Sequence, residues 1–364
     1  MKKNKKRSIA GRIFGTIGII LLVIVLLAAG LIGALTLLEY RPADTETVQL
    51  TGTGGKTLHA GDTVSVVSWN IGYAALGDTA DFFMDGGTMV RGQSKETVLL
   101  NLDGIEETID ALHPDVLFVQ EIDKGSSRSR KVNELEQITS HLSAYQASFA
   151  NNYKVAYVPY PVPPLGKVDS GVATYSLFAV KEAQRVQLPV PFSWPVRIIN
   201  LKRCLLINRV PVEGTDKELV LVNLHLEAYD DGEGKTAQTR MLSELLDAEA
   251  KKGNFVIAGG DFNQIFSSTD SARFPVKEGN WQAGRIEVDQ FSDGWQFLMD
   301  ETVPSCRLLN EPYKGADHDT FQYYLIDGFI VSKNLKVELV ETQDLGFIVS
   351  DHNPVLLKVT LSAD

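Results

Sequence analysis

Six apolar runs in this 364-residue sequence are each followed by polar residues that can hold a cation or activate water. Asn70 follows the run SVVSW, Glu121 follows VLFVQ, and His225 follows LVLVNL. The same pattern recurs later in the chain, at Asp261 and Asn263, at Asp327, and at Asp351 and His352. Carboxylate and amide oxygens suit a hard cation such as Mg²⁺, whose shell substrate phosphate oxygens can complete. Histidines beside such a cation, without cysteines, suit proton transfer rather than a structural zinc site.

These apolar runs have the composition of strands, and the segments between them have the spacing of amphipathic helices. Strands are predicted at 64–69, 115–119, 172–180, 204–212, 219–224, 255–258, 325–331 and 355–361. Helices are predicted at 95–112, 132–142 and 236–251. The alternation predicts one α/β domain, and the strands that are apolar throughout are expected to be buried on both sides. Polar residues at their ends would then converge on one rim, although each alone is as typical of a turn.

Four further segments are predicted to lie outside these elements. Residues 158–164 and 266–295 have the composition of surface loops, which often shape a substrate site. The segment 81–87, with the sequence DFFMDGG, is either a lip of the site or a loop packed on the domain. Residues 151–153 either line the cleft or form a turn.

Composition and charge exclude several classes of protein. A hydrophobic content of 44% excludes a disordered chain, and two cysteines exclude a disulfide scaffold or a multi-cysteine zinc module. Cys204 and Cys306 either pair or remain two separate buried thiols. The net charge of −11 is unevenly spread, because residues 1–41 hold seven basic residues and one acidic residue, leaving −17 on the remainder. That acidity argues against broad, salt-driven binding to nucleic acid or anionic lipid.

The N-terminal segment has the composition of a membrane anchor. No charged residue occurs between positions 14 and 38, a stretch longer than the roughly 20 residues that cross a bilayer as a helix. The preceding basic residues are expected to stay in the cytoplasm, with the rest of the chain outside. The predicted organisation is a basic tail at 1–13, a transmembrane helix at 14–38, a linker at 39–61 and a domain at 62–364. A long cleavable signal sequence is the alternative.

Seven short motifs occur in order along the domain. They are SWNIGY (68–73), QEID (120–123), SGVATYS (170–176), NLHLEAYD (223–230), GGDFNQ (259–264), LIDGFIV (325–331) and SDHNPV (350–355). Together they resemble the endonuclease/exonuclease/phosphatase superfamily, which has the deoxyribonuclease I-like fold, over residues 64–361. The resemblance implies a four-layer α/β/β/α sandwich of two packed mixed β-sheets, with a metal-dependent phosphoesterase site at one edge.

The resemblance also implies a metal site. Glu121 matches the principal Mg²⁺ carboxylate, with Asn70 and Asp351 beside it, and Mn²⁺ or Ca²⁺ are alternative cations. One position departs from the family pattern, because Gly72 stands where the abasic-site endonuclease branch has an aspartate. One metal contact is therefore either missing or supplied from elsewhere.

The catalytic residues follow from the same resemblance. His352 matches the catalytic histidine, and Asp327 matches the carboxylate that holds it. Asp261 and Asn263 match the pair that orients the nucleophile and the phosphate. His225 matches the second histidine of the deoxyribonuclease I, sphingomyelinase and inositol-phosphatase branches, which favours those branches over the abasic-site one. Which histidine acts as the base stays open.

Two other residues are candidates for substrate contact. Arg128 follows Glu121 closely and could receive a phosphate group, the alternative being a solvated loop position. His318 lies in a loop before Asp327 and could reach the substrate, the alternative being a surface position.

These features favour a membrane-anchored, exported phosphoesterase that uses in-line attack of water. Its substrate would be a phosphodiester or phosphomonoester such as a phospholipid headgroup or an inositol or sugar phosphate. The first alternative is an extracellular nuclease of the deoxyribonuclease I type, so nucleic acid stays a candidate partner that the charge does not favour. The second is a non-catalytic binding module on the same fold. The sequence does not indicate a protein partner.

Overall fold

The computed structural model describes residues 9–230 and 232–362. Its helices are α1 (Ile9–Leu37), α2 (Lys95–Leu112), α3 (Glu134–His141) and α4 (Glu233–Lys251). Its strands are β1 (Thr45–Thr47), β2 (Thr51–Gly52), β3 (Leu58–His59), β4 (Thr63–Asn70), β5 (Val116–Asp123), β6 (Gln146–Val158), β7 (Gly166–Ser176), β8 (Glu182–Gln187), β9 (Cys204–Glu213), β10 (Glu218–His225), β11 (Phe255–Asp261), β12 (Gln264–Phe266), β13 (Gly284–Ile286), β14 (Trp295–Leu298), β15 (Cys306–Arg307), β16 (Tyr323–Tyr324), β17 (Asp327–Ser332), β18 (Leu335–Thr342) and β19 (Val355–Leu361). Short 3-10 helices lie at Gly72–Ala74, Phe83–Asp85, Val196–Ile199, Val288–Gln290 and His318–Thr320.

Two mixed sheets form the centre of the domain. The first has the strand order β1-β8-β9-β10-β11-β17-β14, with β3 paired to β9, and the second has the order β18-β19-β4-β5-β7-β6-β2. In the first sheet β10 runs parallel to β11, whereas β17 runs antiparallel to it. In the second, β4 runs parallel to β5 and antiparallel to β19.

The strands are apolar throughout because their two faces pack into different layers. In β4, Val64 and Val66 belong to the core between the sheets, while Val67 and Trp69 belong to the core beneath α2. Strand β10 alternates in the same way between the central core and the core beneath α4. The chain therefore folds as a four-layer α/β/β/α sandwich, and the predicted fold class is confirmed.

The predicted elements correspond closely to the observed ones. The helix predicted at 95–112 is α2 with the same bounds, and the Ser94 hydroxyl accepts a hydrogen bond from the Thr97 amide at 3.0 Å to begin it. The prediction at 172–180 is shifted, since β7 spans 166–176. Strands β6, β8 and β18 were not predicted, because they carry polar residues on an exposed side. The segment 266–295, predicted as a loop, contains β13 and a 3-10 helix.

The N-terminal part of the chain combines an exposed helix with edge strands. Helix α1 is long and apolar enough to span a membrane, by length and composition, and none of its most apolar window is buried. The segment 39–61, predicted as a linker, contributes β1, β2 and β3, which pair with β8, β6 and β9. That segment is therefore part of the folded body.

Candidate active site

Strand direction brings the predicted polar residues to one edge of the sandwich. His225 and Asp261 lie opposite each other at the ends of the parallel strands β10 and β11. Asp327 lies opposite Asp261 as well, but it begins β17 rather than following a strand, which corrects the sequence pattern. It reaches the same edge because β17 runs antiparallel. In the second sheet, β4 ends at Asn70 and β5 carries Glu121 near its end.

His352 and Asp327 form a buried pair. The Nδ1 atom of His352 lies 2.8 Å from Oδ2 of Asp327. Burial alone would lower the pKa of His352, but the negative charge of Asp327 outweighs it and raises that pKa well above the usual value. The imidazole is therefore stabilised as a cation, and its Nε2 lies 3.8 Å from an oxygen of Asp261 and from an oxygen of Asp351.

Asp261 lies at the centre of the cluster. Its Oδ2 is 3.0 Å from Nδ2 of Asn70 and 3.4 Å from Nε2 of His225. The same oxygen lies 3.8 Å from Nε2 of His352. Burial, followed by the neighbouring charge of Asp327, raises the pKa of Asp261 to about 7. A carboxyl group with that pKa can take up a proton near neutral pH.

His225 and Asn263 complete the side of the cluster on the first sheet. Burial, with the positive charge of Arg203, lowers the pKa of His225 well below its usual value, so its ring is neutral. Its Nδ1 has no hydrogen-bond partner among the described residues. The Asn263 backbone amide donates to Oδ1 of Asp261 at 2.8 Å, and its φ of 51° turns the chain at this point.

Glu121 is held by a buried arginine. Its Oε2 lies 3.2 Å from Nη1 of Arg128, and its Oε1 lies 3.4 Å from the Asn70 amide nitrogen. Arg128 also makes two hydrogen bonds to Asp123, at 3.0 and 3.2 Å, and lies 3.8 Å above the ring centre of Tyr73. The solvated loop position is therefore wrong for Arg128, and no sequence pattern indicates its pairing with Asp123.

Asp351 occupies the space beside Gly72. A Cβ atom added at Gly72 would lie 2.8 Å from Oδ1 of Asp351, and the φ of Gly72 is +52°. The position at which the sequence departs from the family pattern is thus filled by a carboxylate from another part of the chain. Burial raises the pKa of Asp351 to about 6.

The donor set fits a divalent cation. Two groups of three side chains bring ligand atoms within 4.8 Å of one another: Asp261, Asp327 and His352, and Cys306, Asp351 and His352. Oδ1 of Asp327 has no hydrogen-bond partner among the described residues. Buried carboxylates with raised pKa values and an unpartnered oxygen are groups that a cation stabilises. Of the predicted ligands, Asp351 belongs to one of these groups, whereas Glu121 belongs to neither.

The cluster lies at the polar end of a cleft of about 610 Å³. Glu121, Arg128, His225, Asp261 and His352 line that end. The remaining walls are largely apolar, with contributions from Phe82, Phe83, Met84, Val158, Tyr160, Leu165, Phe192, Ile199, Leu201 and Trp281. The segment 81–87 therefore forms a lip of the cleft, and Asn152 and Tyr153 line it too.

The structure also shows the positions of His318 and of the two cysteines, and Cys306 lies within the cluster beside Asp351 and His352. His318 does not line the cleft, because its ring stacks on Tyr313 with 3.9 Å between ring centres. Cys204 and Cys306 are both buried and unpaired, so the disulfide alternative is wrong.

The sequence profile of the Endonuclease/Exonuclease/phosphatase family matches residues 67–352. The chain belongs to this family. The match spans every candidate site residue from Asn70 to His352. Membership in the endonuclease/exonuclease/phosphatase family supports a hydrolase in general.

Solved structures share the fold at low sequence identity. An endonuclease/exonuclease/phosphatase from Beutenbergia cavernae DSM 12333 is 17% identical, with 82% of this chain and 72% of that chain covered and a TM-score of 0.55. The human Nocturnin catalytic domain with bound sulfate anion is 15% identical, with 86% and 97% covered and a TM-score of 0.52. D. rerio TDP2 complexed with single-strand DNA product is 15% identical, with 82% and 99% covered and a TM-score of 0.50. No curated protein matches the chain.

Proposed function

We propose that this family member is a divalent-metal-dependent phosphoesterase that hydrolyses a phosphodiester or phosphomonoester by in-line attack of water. The observation that carries the proposal is the buried pair of His352 and Asp327, with Asp261 beside it, at the polar end of the cleft. The ring of His352, kept positively charged by Asp327, and the basic carboxyl group of Asp261 would both lie within reach of one bound phosphate.

Glu121, Asn70 and Asp351 would hold the cation. When bound, a divalent cation neutralises charge on the phosphate and lowers the pKa of water. Arg128 lines the cleft beside Glu121 and can bind a phosphate oxygen, because its planar guanidinium matches phosphate geometry.

Asp261 is the residue that we assign as the base. A carboxyl group with a pKa of about 7 is partly ionised near neutral pH and can take a proton from the attacking water. His352, held as a cation by Asp327, would donate a hydrogen bond to a phosphoryl oxygen. Neutral His225 and the Asn263 amide would stabilise charge that develops on the other oxygens.

The first prediction concerns His352. His352→Ala should lower Mg²⁺-dependent hydrolysis of bis(p-nitrophenyl) phosphate by about 10²–10⁴-fold, because a positioned proton donor contributes that much. The measurement uses the full-length chain in detergent, since residues 39–61 pair with both sheets.

His141→Ala is the matched control, because His141 is a surface histidine paired with Asp110 outside the cleft. It should retain full activity. Equal rates in the wild type and His352→Ala, with the fold intact by circular dichroism, would remove His352 from the mechanism.

We also propose that α1 is a single-pass anchor in the cell membrane, with the N-terminus in the cytoplasm and the domain outside. The exposed apolar helix and the basic residues before it support this arrangement. A cleaved signal sequence is the alternative, and the two differ in whether the mature chain keeps residues 1–37.

A nuclease is the second candidate. One observation favours it: the D. rerio TDP2 structure of similar fold is complexed with single-strand DNA product. The charge of −17 after residue 41 weighs against it. Nicking of supercoiled plasmid at a rate comparable to small-diester hydrolysis would favour the nuclease.

A further inference from the structure

Exposed apolar side chains cluster on two neighbouring segments of the domain. Trp194 is 56% exposed and Val196 is 50% exposed in the segment 192–201. In the turn between β6 and β7, Tyr160 is 66% exposed and Val162 is 94% exposed. We call these four residues the apolar rim. Single exposed apolar residues are ordinary, but a cluster of this kind marks an interaction surface.

The two segments are packed together. Ile199 packs against the apolar cluster that contains Val158 and Leu165, which flank the turn between β6 and β7. The Tyr153 hydroxyl, from β6, donates to the Ile199 carbonyl at 3.2 Å. The two segments that carry the apolar rim are therefore neighbours in the fold.

Direct contacts hold Trp194 and the residues that follow it beside the end of α1. The indole Nε1 of Trp194 donates to the hydroxyl of Thr36, in the last turn of the helix, at 3.1 Å. Immediately after the helix, Glu39 pairs with Arg197 at 3.0 Å and with Lys202 at 3.4 Å. If α1 spans the bilayer, Trp194 lies at the depth where tryptophan and tyrosine are enriched in membrane proteins.

The charge around the apolar rim is positive although the domain is acidic. The side chains of Arg41 and Arg197 are 63% and 43% exposed. Their acidic partner, Glu39, is 2% exposed and also pairs with Lys202. Two exposed arginines beside exposed apolar groups match the headgroup region of a bilayer that contains anionic lipid.

We propose that the apolar rim inserts into the bilayer interface and that the cleft takes a lipid-borne phosphoester from it. The inference rests on the proposed phosphoesterase function and on the anchor. It names the substrate class as a membrane lipid that carries a phosphoester.

The walls of the cleft support this route. The segments that carry the apolar rim also line the cleft, through Phe192 and Ile199 of one and Leu165 beside the other. Arg128 and His225 line the same cleft. A lipid phosphoester joins an apolar chain to a phosphate, so a cleft with both apolar and charged lining suits it.

Tryptophan fluorescence tests the docking. Helix α1 contains no tryptophan, and Trp69 is 1% exposed, so quenching by brominated acyl chains reports on the exposed indoles of the domain. We expect the full-length chain in phosphatidylcholine–phosphatidylglycerol vesicles to be quenched, and Trp194→Phe to lose most of that quenching. Trp295→Phe, outside the apolar rim, should keep it. Two results would overturn the proposal. One is equal quenching of the wild type and Trp194→Phe, and the other is an absence of quenching in wild-type protein that is recovered with the vesicles.

A pair of chromogenic substrates tests the delivery of lipid. One is a long-chain alkyl p-nitrophenyl phosphodiester embedded in the same vesicles, and the other is soluble bis(p-nitrophenyl) phosphate. Val162→Ser with Val196→Ser should lower the vesicle rate about tenfold, because two apolar side chains leave the interface, and leave the soluble rate unchanged. Leu100→Ser, at an exposed leucine of α2, is the control and should change neither rate.

An unchanged ratio of the two rates in the double variant would contradict lipid delivery. No hydrolysis of either diester by the wild type would instead reject the proposed function, while the quenching result still tests the docking.

Discussion

At the scale of single residues, the site depends on charges that are buried with their partners. Arg128 is an example, because it binds Glu121, Asp123 and Ser170 and lies over Tyr73. Burial alone would lower the pKa of Arg128, but the charges of Asp123 and Glu121 raise it, so the guanidinium is always charged. Arg128 therefore stabilises the fold at the end of β5 and also presents a positively charged side chain to the cleft.

The second prediction follows from this pairing. Arg128→Ala should lower the free energy of unfolding by about 3 kcal/mol, because Asp123 stays fully buried without its cation. Thermal unfolding in detergent, followed by circular dichroism, measures the change. Arg130→Ala is the control, since among the described residues the Arg130 side chain donates to two backbone carbonyls and pairs with no buried carboxylate. A loss no larger than that of the control would show that Asp123 needs no such partner.

The contacts between individual side chains are the part of the site that the sequence predicts least completely. The motifs assigned Asp261, Asp327 and His352 by resemblance, and the structure brings those three side chains together. The pairing of Glu121 with Arg128 was not predicted, because the end of β5 and a turn lie between them and no periodic pattern connects them. For His318 the sequence left substrate contact and a surface position as alternatives, and the residue is exposed with its ring stacked on Tyr313.

At the scale of elements, strand direction decides which residues meet. Asn70 and Glu121 come from parallel strands of one sheet, and His225 and Asp261 come from parallel strands of the other. The bounds of α2 followed from its apolar spacing, and the structure shows that Ser94 caps its start. Strand β18 was not predicted, because half of its residues are polar and it is an edge strand ordered by pairing with β19.

The third prediction concerns the attachment of α4 to the first sheet. Burial alone would raise the pKa of Glu249, but hydrogen bonds from Arg209, Lys252 and Asn254 lower it from 4.5 to about 2. Because the folded-state pKa is depressed, the stabilisation is complete above about pH 4.5 and is lost as the pH falls toward 2. Glu249→Gln should therefore cost about 2 kcal/mol at neutral pH.

Unfolding of wild type and Glu249→Gln across this pH range measures the effect. The difference between them should shrink as the pH falls from 4.5 toward 2. Glu244→Gln, at an exposed position of the same helix, is the control and should behave as the wild type. A difference that stays constant down to pH 2 would contradict the assigned pairing.

At the scale of the whole molecule, the N-terminal part of the chain and the domain differ in net charge and in hydropathy. The basic N-terminal stretch and α1 contrast with a domain whose acidity is partly accounted for by Glu121, Asp261, Asp327 and Asp351. If those carboxylates hold a divalent cation, as proposed, the acidity of the domain does not exclude a phosphate substrate. The short strands β1 to β3 tie the end of α1 to both sheets.

The fourth prediction concerns the topology of the chain. After alkaline carbonate extraction, the protein should stay in the membrane fraction with residues 1–37 intact by mass spectrometry. A C-terminal epitope should be digested by protease added outside intact cells, because the basic residues hold the N-terminus in the cytoplasm. A mature chain that begins after Leu38 would establish the cleaved signal instead.

The central claim, that the cleft is a metal-dependent phosphoesterase site, is tested most directly by hydrolysis of bis(p-nitrophenyl) phosphate before and after removal of divalent cations. We predict that the full-length wild type loses activity in EDTA and regains it on addition of Mg²⁺, because the buried carboxylates of the cluster need a cation to bind phosphate. Glu121→Gln should need a higher Mg²⁺ concentration for the same rate. Activity that persists undiminished in EDTA, or no hydrolysis with Mg²⁺, Mn²⁺ or Ca²⁺, would contradict the claim.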